Sequence, residues 1–279
     1  MNVRQPAVAG SFYPGSREGL RKEVENLLGS VDLPLISGKI LGGMAPHAGY
    51  MFSGQAQAYL YKALEPLSFN TAVIIASSHY AFYQGASVYP EGAYLTPLGE
   101  VEVAEEITKK LLDYPEFNYV PSAHQREHSI EVQLPFLQVI KGNVKIVPIV
   151  VSEFDLELTK RLGKAIHEVT AGRNDVIFIA SSDLSHYPPY EIAKKVDNEI
   201  LKRIVSLDPE GLHESAVLLR RERGVSTAIC GEGAVLTLLY CLLEKGVKEG
   251  KLLIYYNSGD VEKFMREEVV GYGAVIFLS

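Results

Sequence analysis

Three histidines of the chain stand shortly after apolar segments, at positions where a strand would have just ended. These histidines and the segments before them are, in chain order, His47 after residues 40–45, His79 after residues 72–76 and His186 after residues 176–180. The segments are largely apolar and partly β-branched, which is typical of strands that are buried on both faces. Polar groups just beyond the carboxyl ends of such strands face the crevice where α/β proteins bind ligands. The pattern therefore predicts one site that several loops build together.

Asp183 and His186 follow the third apolar segment and stand three residues apart. A metal-bound histidine usually donates its second ring N–H to a carboxylate or a carbonyl, so the two residues could be a ligand and the group that orients it. They could equally be an acid and a base for proton transfer. The structural alternative is that Asp183 caps the following turn while His186 stacks on Tyr187 or a proline. We expect both side chains to face the crevice.

His128 lies just before a helix that is predicted over residues 129–140, with Ser129 as a candidate cap. Favourable interactions with the helix dipole explain the neighbouring residues Glu127 and Glu131, but they do not explain His128. His128 could therefore face the crevice as well. The remaining histidines lie in polar or helical stretches and are expected to face solvent; they are His124, His167 and His213.

Cys230 stands directly before Gly231, at the start of a helix that is predicted over residues 231–243. Helix N-termini lower the pKa of a thiol and expose it, which suits a thiolate that binds a metal or acts as a nucleophile. The structural alternative is a small residue that allows tight packing beside Gly231. The local sequence leaves these two interpretations open.

Predicted strands and helices alternate through most of the chain. The predicted helices cover residues 17–28, 55–64, 101–112, 129–140, 157–169, 190–205, 209–219 and 231–243. The predicted strands cover residues 40–45, 72–76, 144–151, 176–180, 252–256 and 269–277, and residues 83–101 are predicted as an excursion or a hairpin. This alternation predicts an α/β layered fold with a central, mostly parallel or mixed sheet that helices flank. Because no linker-like stretch divides the sequence, we expect residues 1–279 to form one domain.

The composition is that of an ordinary soluble globular protein, with 47% hydrophobic and 22% charged residues. The net charge of -7 argues against nucleic acid as a partner, because proteins that bind nucleic acid carry a basic footprint. The first residues lack the long apolar core of a secretory signal, and no apolar run is long enough to span a bilayer. We therefore expect a cytoplasmic protein without a membrane partner.

Six motifs of the chain occur together in the order that is typical of the Memo family. They are AGSFYPG, APHAGYMFSG, SSHY, EHSIEVQLPFLQ, SSDLSHY and ICGEGA, and the sequence resembles that family over almost its whole length. Memo proteins are similar in fold to the class III extradiol dioxygenases, which hold non-haem Fe(II) in a crevice. The resemblance implies that His47, His79 and Cys230 are metal ligands, that Asp183 and His186 line the same pocket, and that His128 lies nearby.

The implied ligand set differs from the usual Fe(II) triad of two histidines and one carboxylate, because Cys230 stands in place of the carboxylate. A thiolate favours a softer metal such as Cu or Zn, with Fe also open, and it argues against ring-cleaving dioxygenase activity. The chain also has Tyr80 after His79, where relatives carry a second histidine.

The leading interpretation is a metal-binding α/β protein with a redox role, in which Asp183, His186 and His128 support proton transfer. Its partner would be a small molecule or a peptide in the crevice. One alternative is a metal-free hydrolase in which Cys230 is the nucleophile and a histidine is its base. The other is a non-catalytic module that uses the cleft only to bind a ligand, because fold similarity does not transfer function.

Overall fold

The computed structural model of the chain describes residues 2–264 and 266–279. In these residues the strands are β1 (Val3–Arg4), β2 (Ile40–Ala45), β3 (Thr71–Ser77), β4 (Ala86–Val88), β5 (Ala93–Thr96), β6 (Gly99–Glu102), β7 (Phe117–Asn118), β8 (Lys145–Val151), β9 (Val176–Ser181), β10 (Glu249–Asn257) and β11 (Gly271–Leu278). The helices are α1 (Arg17–Gly29), α2 (Tyr50–Leu64), α3 (Glu105–Leu111), α4 (Pro121–Gln125), α5 (His128–Glu131), α6 (Leu134–Lys141), α7 (Leu156–Val169), α8 (Tyr190–Val205), α9 (Pro209–Leu219), α10 (Glu232–Glu244) and α11 (Ser258–Val261).

A mixed sheet with the strand order β10-β11-β2-β9-β3-β8-β4-β7 forms the centre of the molecule. Its four middle strands, β2, β9, β3 and β8, are parallel to one another, while β11 and β4 pair with them in the antiparallel sense. A smaller sheet has the order β1-β5-β6 and contains the hairpin that was predicted within residues 83–101. The predicted α/β fold with a mostly parallel or mixed sheet is therefore confirmed.

The middle strands are apolar on both faces because helices cover both sides of the sheet. Along β3, Val73 and Ile75 belong to one core cluster, while Ala72 and Ile74 belong to the other. Side chains alternate between the two faces of a strand, so this arrangement needs an unbroken apolar run. Residues of α7, α8, α9 and α10 complete the first cluster, and residues of α1, α2 and α6 complete the second.

The chain departs from the predicted elements in three places, two of them near the crevice. Helix α2 begins at Tyr50 instead of residue 55, so the loop that carries His47 is short. The predicted helix over residues 129–140 is two helices, α5 and α6, because Pro135 stands in the first turn of α6 and cannot donate a hydrogen bond back into a continuous helix. Helix α3 begins only at Glu105, because residues 99–102 form β6 and pair with β5.

The sequence predicted that His124, His167 and His213 face solvent. This prediction is wrong for His124 and partly right for the other two. His124 is fully buried, with its ring nitrogens 2.8 Å from the hydroxyls of Ser87 and Tyr94. His213 is partly buried and lies against Glu232, and His167 is also partly buried.

Among the described helices, none combines the length and the apolar character that crossing a membrane requires.

Candidate metal centre

The side chains of His47, His79 and Cys230 meet at the carboxyl edge of the parallel strands. His79 Nε2 lies 3.1 Å from Cys230 Sγ, although 151 positions separate the two residues in the chain. His47 Nε2 lies 3.5 Å from the same sulfur. Two ligands of one tetrahedral zinc ion, a nitrogen and a sulfur, lie about 3.6 Å apart. Both nitrogen–sulfur distances therefore suit ligands of one ion.

Cys230 reaches the centre because its loop is fastened to the loop that follows β9. The backbone N–H of Cys230 donates to the carbonyl oxygen of Asp183 at 3.1 Å, and the N–H of Gly231 donates to Ser182 Oγ at 2.8 Å. A Cβ atom on Gly231 would lie only 2.6 Å from Ser182 Cβ. The glycine therefore allows the close approach that brings Cys230 beside the two histidines, and α10 begins one residue later.

His128 forms an all-histidine group of donor atoms with His47 and His79. One ligand nitrogen from each of His47, His79 and His128 lies within 4.8 Å of the others. The ring of His128 is centred 4.6 Å from that of His79 and 5.4 Å from that of His47. Phe12 packs edge-on against His128 at 5.1 Å between ring centroids. His128 therefore lies in the crevice, and the three imidazoles could hold an ion.

Asp183 and His186 also lie in the crevice. Asp183 Oδ1 accepts hydrogen bonds from the backbone N–H groups of His47 and Ala48, at 2.7 and 3.3 Å. Its other oxygen lies 3.7 Å from His186 Nε2 and 3.9 Å from His47 Nε2. Asp183 is thus tied to the loop after β2 instead of capping the turn that follows it.

Glu127 is a site residue that the sequence analysis missed, because helix-start chemistry explained it locally. The carboxylate does cap α5 by accepting from the N–H of Ser129 at 3.1 Å. It also accepts from the backbone N–H of His79 at 2.8 Å, and its other oxygen lies 2.8 Å from His79 Nδ1. Glu127 stands directly before a histidine in a stretch with many apolar residues, and this position could have indicated a buried site residue.

Burial controls the charges of the other groups in the crevice. Burial lowers the pKa of His47 to about 3, because the attraction of Asp183 only partly offsets it. Burial also lowers the pKa of His128. Burial alone would raise the pKa of Asp183 and Glu127. The nearby imidazoles outweigh it, so the pKa of Asp183 falls well below its usual range and that of Glu127 falls to about 2. Near neutral pH, His47 and His128 are neutral and both carboxylates are ionised.

His79 and Cys230 hold a proton between them. Burial disfavours the charged imidazole, but hydrogen bonds and charges from Cys230 and Glu127 outweigh it and raise the pKa of His79 to about 11. Burial raises the pKa of the Cys230 thiol despite the opposing influence of His79. Both directions mean that the pair keeps its proton through the neutral range, so an ion that binds there must displace it.

A cavity of about 510 Å³ opens above these residues. Its base is polar and contains His47, His79, His128, Asp183 and His186. Its walls are largely apolar and contain Phe12, Met51, Phe52, Tyr187, Val270 and Tyr272. Tyr187 has a φ of 71°, a conformation that costs free energy for a bulky side chain and that recurs at functional sites. The cavity can enclose a small ligand or the side chain of a peptide.

The chain is similar to known proteins over almost its full length. The family model described as Memo-like protein matches residues 4–276. A MEMO1 family protein of Caldivirga maquilingensis is 37% identical, and the alignment covers 99% of each chain. A MEMO1 family protein of Methanopyrus kandleri is 39% identical over 98% of each chain.

A solved structure shares the fold. The crystal structure of an uncharacterized protein from Escherichia coli K12 superposes with a TM-score of 0.55 at 12% identity, and the match covers 86% of this chain and all of that one. At this level of identity the likeness concerns the fold alone. The similarity to dioxygenases that the sequence motifs implied stays a prediction.

Proposed function

The chain belongs to the Memo-like protein family, and we propose that it binds a transition-metal ion through His47, His79 and Cys230 and carries out redox chemistry with it. One observation carries this proposal: the Nε2 atoms of both histidines lie within 3.5 Å of one cysteine sulfur at the ligand-binding edge of the sheet. His128 would supply a fourth donor or leave that position to a substrate.

The donor set suits a soft or borderline ion. Imidazole binds Zn, Cu and Fe, and a thiolate shifts the preference toward Cu(I) and Zn over Fe(II). A bound ion of this kind supplies Lewis acidity, and a copper or iron ion also supplies electron transfer. His47 fits the role of ligand because its lowered pKa of about 3 leaves the ring neutral.

Asp183, His186 and His128 would bind the ligand and move protons. His128 Nδ1 and His186 Nε2 are buried and make no hydrogen bond within the described part of the chain. A buried polar atom without a partner is costly, so these nitrogens are suited to meeting a ligand or a water molecule in the cavity. The Asp183 carboxylate, 3.7 Å from His186, would stabilise an imidazolium that forms when His186 takes up a proton.

The ligand would be a small molecule or a peptide side chain with one polar and one apolar end. The polar base of the cavity suits the polar end of such a ligand, and the apolar walls suit its apolar end. We place the protein in the cytoplasm, where a free thiol such as Cys230 stays reduced.

A cysteine hydrolase is the second candidate, and one observation favours it. Cys230 Sγ lies 3.1 Å from His79 Nε2, and His79 Nδ1 lies 2.8 Å from Glu127, which is the order of a nucleophile, its base and an orienting carboxylate. Alkylation with iodoacetamide separates the two candidates. A metal ligand becomes protected when Zn(II) is added, whereas the nucleophile of a metal-free hydrolase stays reactive and hydrolyses a chromogenic ester.

The metal content of protein purified without an affinity tag tests the leading proposal. We expect about one equivalent of a transition metal in the wild type and a clear loss in His47→Ala and His79→Ala. His213→Ala is the matched control, because His213 is partly exposed and lies against Glu232 outside the cluster. Wild-type protein that neither carries metal nor takes up Zn(II), Cu(I) or Fe(II) would overturn the proposal, and ligand binding without metal would then favour a non-catalytic binding module.

A further inference from the structure

We infer that Glu127 and Ser181 are positioning residues that keep the Nδ1 atoms of His79 and His47 protonated. Nε2 is then the nitrogen of each ring that faces Cys230; in His47 it is bare, and in His79 it shares the proton of the Cys230 pair until an ion displaces it. The consequence for metal binding rests on the proposed function, whereas the protons on Nδ1 are a property of the metal-free protein.

The tautomer of His79 follows from the chemistry of its neighbour. An ionised carboxylate can only accept hydrogen bonds, and Glu127 Oε1 lies 2.8 Å from His79 Nδ1. His79 Nδ1 must therefore carry a proton. The same carboxylate accepts from the backbone N–H of His79, so the ring and its backbone are fixed by one group that is 1% exposed.

The tautomer of His47 follows from a complete account of the hydrogen bonds of Ser181. The hydroxyl of Ser181 donates its one proton to the carbonyl oxygen of Ser129 at 2.6 Å. Its oxygen accepts from Gln133 Nε2 at 2.9 Å and lies 3.1 Å from His47 Nδ1. A hydroxyl has one proton and two lone pairs, so the remaining lone pair must accept from His47. His47 Nδ1 is therefore the donor and Nε2 is bare.

The orientation of the Gln133 amide is fixed as well. Its nitrogen also donates to the carbonyl oxygen of Pro46 at 2.8 Å, and its oxygen accepts from the hydroxyl of Tyr61 at 2.9 Å. An amide turned by half a revolution would place its oxygen against the carbonyl oxygen of Pro46, two acceptors without a proton between them. Gln133, Ser181 and Tyr61 are fully buried, so water cannot offer an alternative. The network therefore admits one arrangement of protons.

Substitutions at the two positions test the inference. In Glu127→Ala, His79 Nδ1 loses its acceptor, and in Ser181→Ala, His47 Nδ1 loses its acceptor. We expect long-range ¹H–¹⁵N spectra of the metal-free protein to show that Nδ1 of His79 gives up its proton in the first variant and that Nδ1 of His47 does so in the second. The affinity for Zn(II) should fall by about 10–100-fold in each, as is usual when such partners are removed.

Two matched controls separate positioning from general stability. Glu131→Ala changes the same residue type at the other end of α5, where the carboxylate pairs with Arg4 and accepts from Ala7 and Val8. Ser87→Ala removes a buried serine that bonds to His124, a histidine outside the crevice. We expect both controls to be less stable than the wild type and to leave the His47 and His79 signals and the Zn(II) affinity unchanged.

This inference and the proposed function can fail independently of each other. If the wild type binds no metal, the proposed function fails and the Nδ1 signals alone decide this inference. Unchanged Nδ1 signals of His79 in folded Glu127→Ala and of His47 in folded Ser181→Ala would overturn it, whatever the metal affinity. If Ser181→Ala does not fold, Ser181→Cys keeps nearly the same volume with a much weaker acceptor, and the same change in the His47 signals is expected.

Discussion

Asp183 accepts a hydrogen bond from the backbone N–H of His47 at 2.7 Å, although 136 positions separate the two residues in the chain. This bond joins the loop after β9 to the loop after β2 and leaves the second oxygen of Asp183 facing His186. Because the carbonyl oxygen of Asp183 also accepts from Cys230, one residue connects two of the three candidate ligands. The relative position of His47 and Cys230 thus depends on a residue that is not itself one of the candidate ligands.

Replacing Asp183 by Asn should destabilise the fold, because one charge-assisted bond is lost and an NH2 group comes to face either a backbone donor or His186. We expect a loss of about 1.5–3 kcal/mol in the free energy of unfolding at pH 7, measured with urea. The pKa of Asp183 is lowered in the folded state, so its contribution is present above the unfolded pKa of about 4 and is lost as the pH falls below it. Asp113→Asn, at an exposed position, is the control. An equal loss at pH 7 and pH 3 would contradict this explanation.

Metal affinity should depend on pH through the proton that His79 and Cys230 retain. Both pKa values are raised, that of His79 to about 11, so binding must displace one proton throughout the neutral range. The affinity for Zn(II) is therefore expected to rise by about tenfold per pH unit between about pH 6 and 8. Competition with a chromophoric chelator measures it. An affinity that does not change with pH would mean that the ion does not take the place of this proton.

The metal preference should change when the thiol is replaced by a carboxylate. Cys230→Asp would create two histidines and one carboxylate, a set that suits Fe(II), and we expect the ratio of Fe(II) to Cu(I) affinity to rise. Anaerobic titrations of the wild type and the variant with both ions test this. A ratio that stays the same would leave Cys230 as a packing residue beside Gly231.

Asp197 should lower the stability of the protein as the pH rises. It is fully buried in α8, where it accepts from the N–H of Ser185 and the hydroxyl of Tyr255, both at 2.8 Å. Burial raises its pKa to about 6. The folded state therefore keeps this proton between about pH 4 and 6 while the unfolded state releases it, and stability falls across that interval.

Asp197→Asn removes this titration and keeps an oxygen that accepts from Ser185, while its NH2 group donates to the hydroxyl of Tyr255, which can also accept. Between pH 4 and 6, the free energy of unfolding, measured in urea, should fall by about 1–3 kcal/mol less in the variant than in the wild type. Parallel pH profiles for the two proteins would show that Asp197 is already ionised at the lower pH.

The crevice could be predicted from the sequence because its main residues follow a local rule. His47, His79 and Asp183 come just after apolar strands, and parallel strands bring their carboxyl ends to the same edge. Helix α8, over residues 190–205, was likewise predicted with its observed bounds, because its apolar spacing is regular and a proline precedes it.

The partners that hold the histidines could not be predicted in this way. Glu127 and Ser181 act on residues 48 and 134 positions away, and no local pattern indicates such contacts. Local helix chemistry already explained Glu127, and it does cap α5 as well. His124 was misjudged for the same reason, since its polar neighbourhood in the sequence is buried by β4 and β5 through Ser87 and Tyr94.

X-ray absorption at the zinc edge of the Zn(II)-loaded protein identifies the atoms that surround the ion. We expect one sulfur at about 2.3 Å together with two or three nitrogens at about 2.0 Å, and we expect Cys230→Ser to lose the sulfur while the nitrogens remain. A wild-type spectrum with nitrogen and oxygen neighbours but no sulfur would contradict the claim that His47, His79 and Cys230 bind one ion.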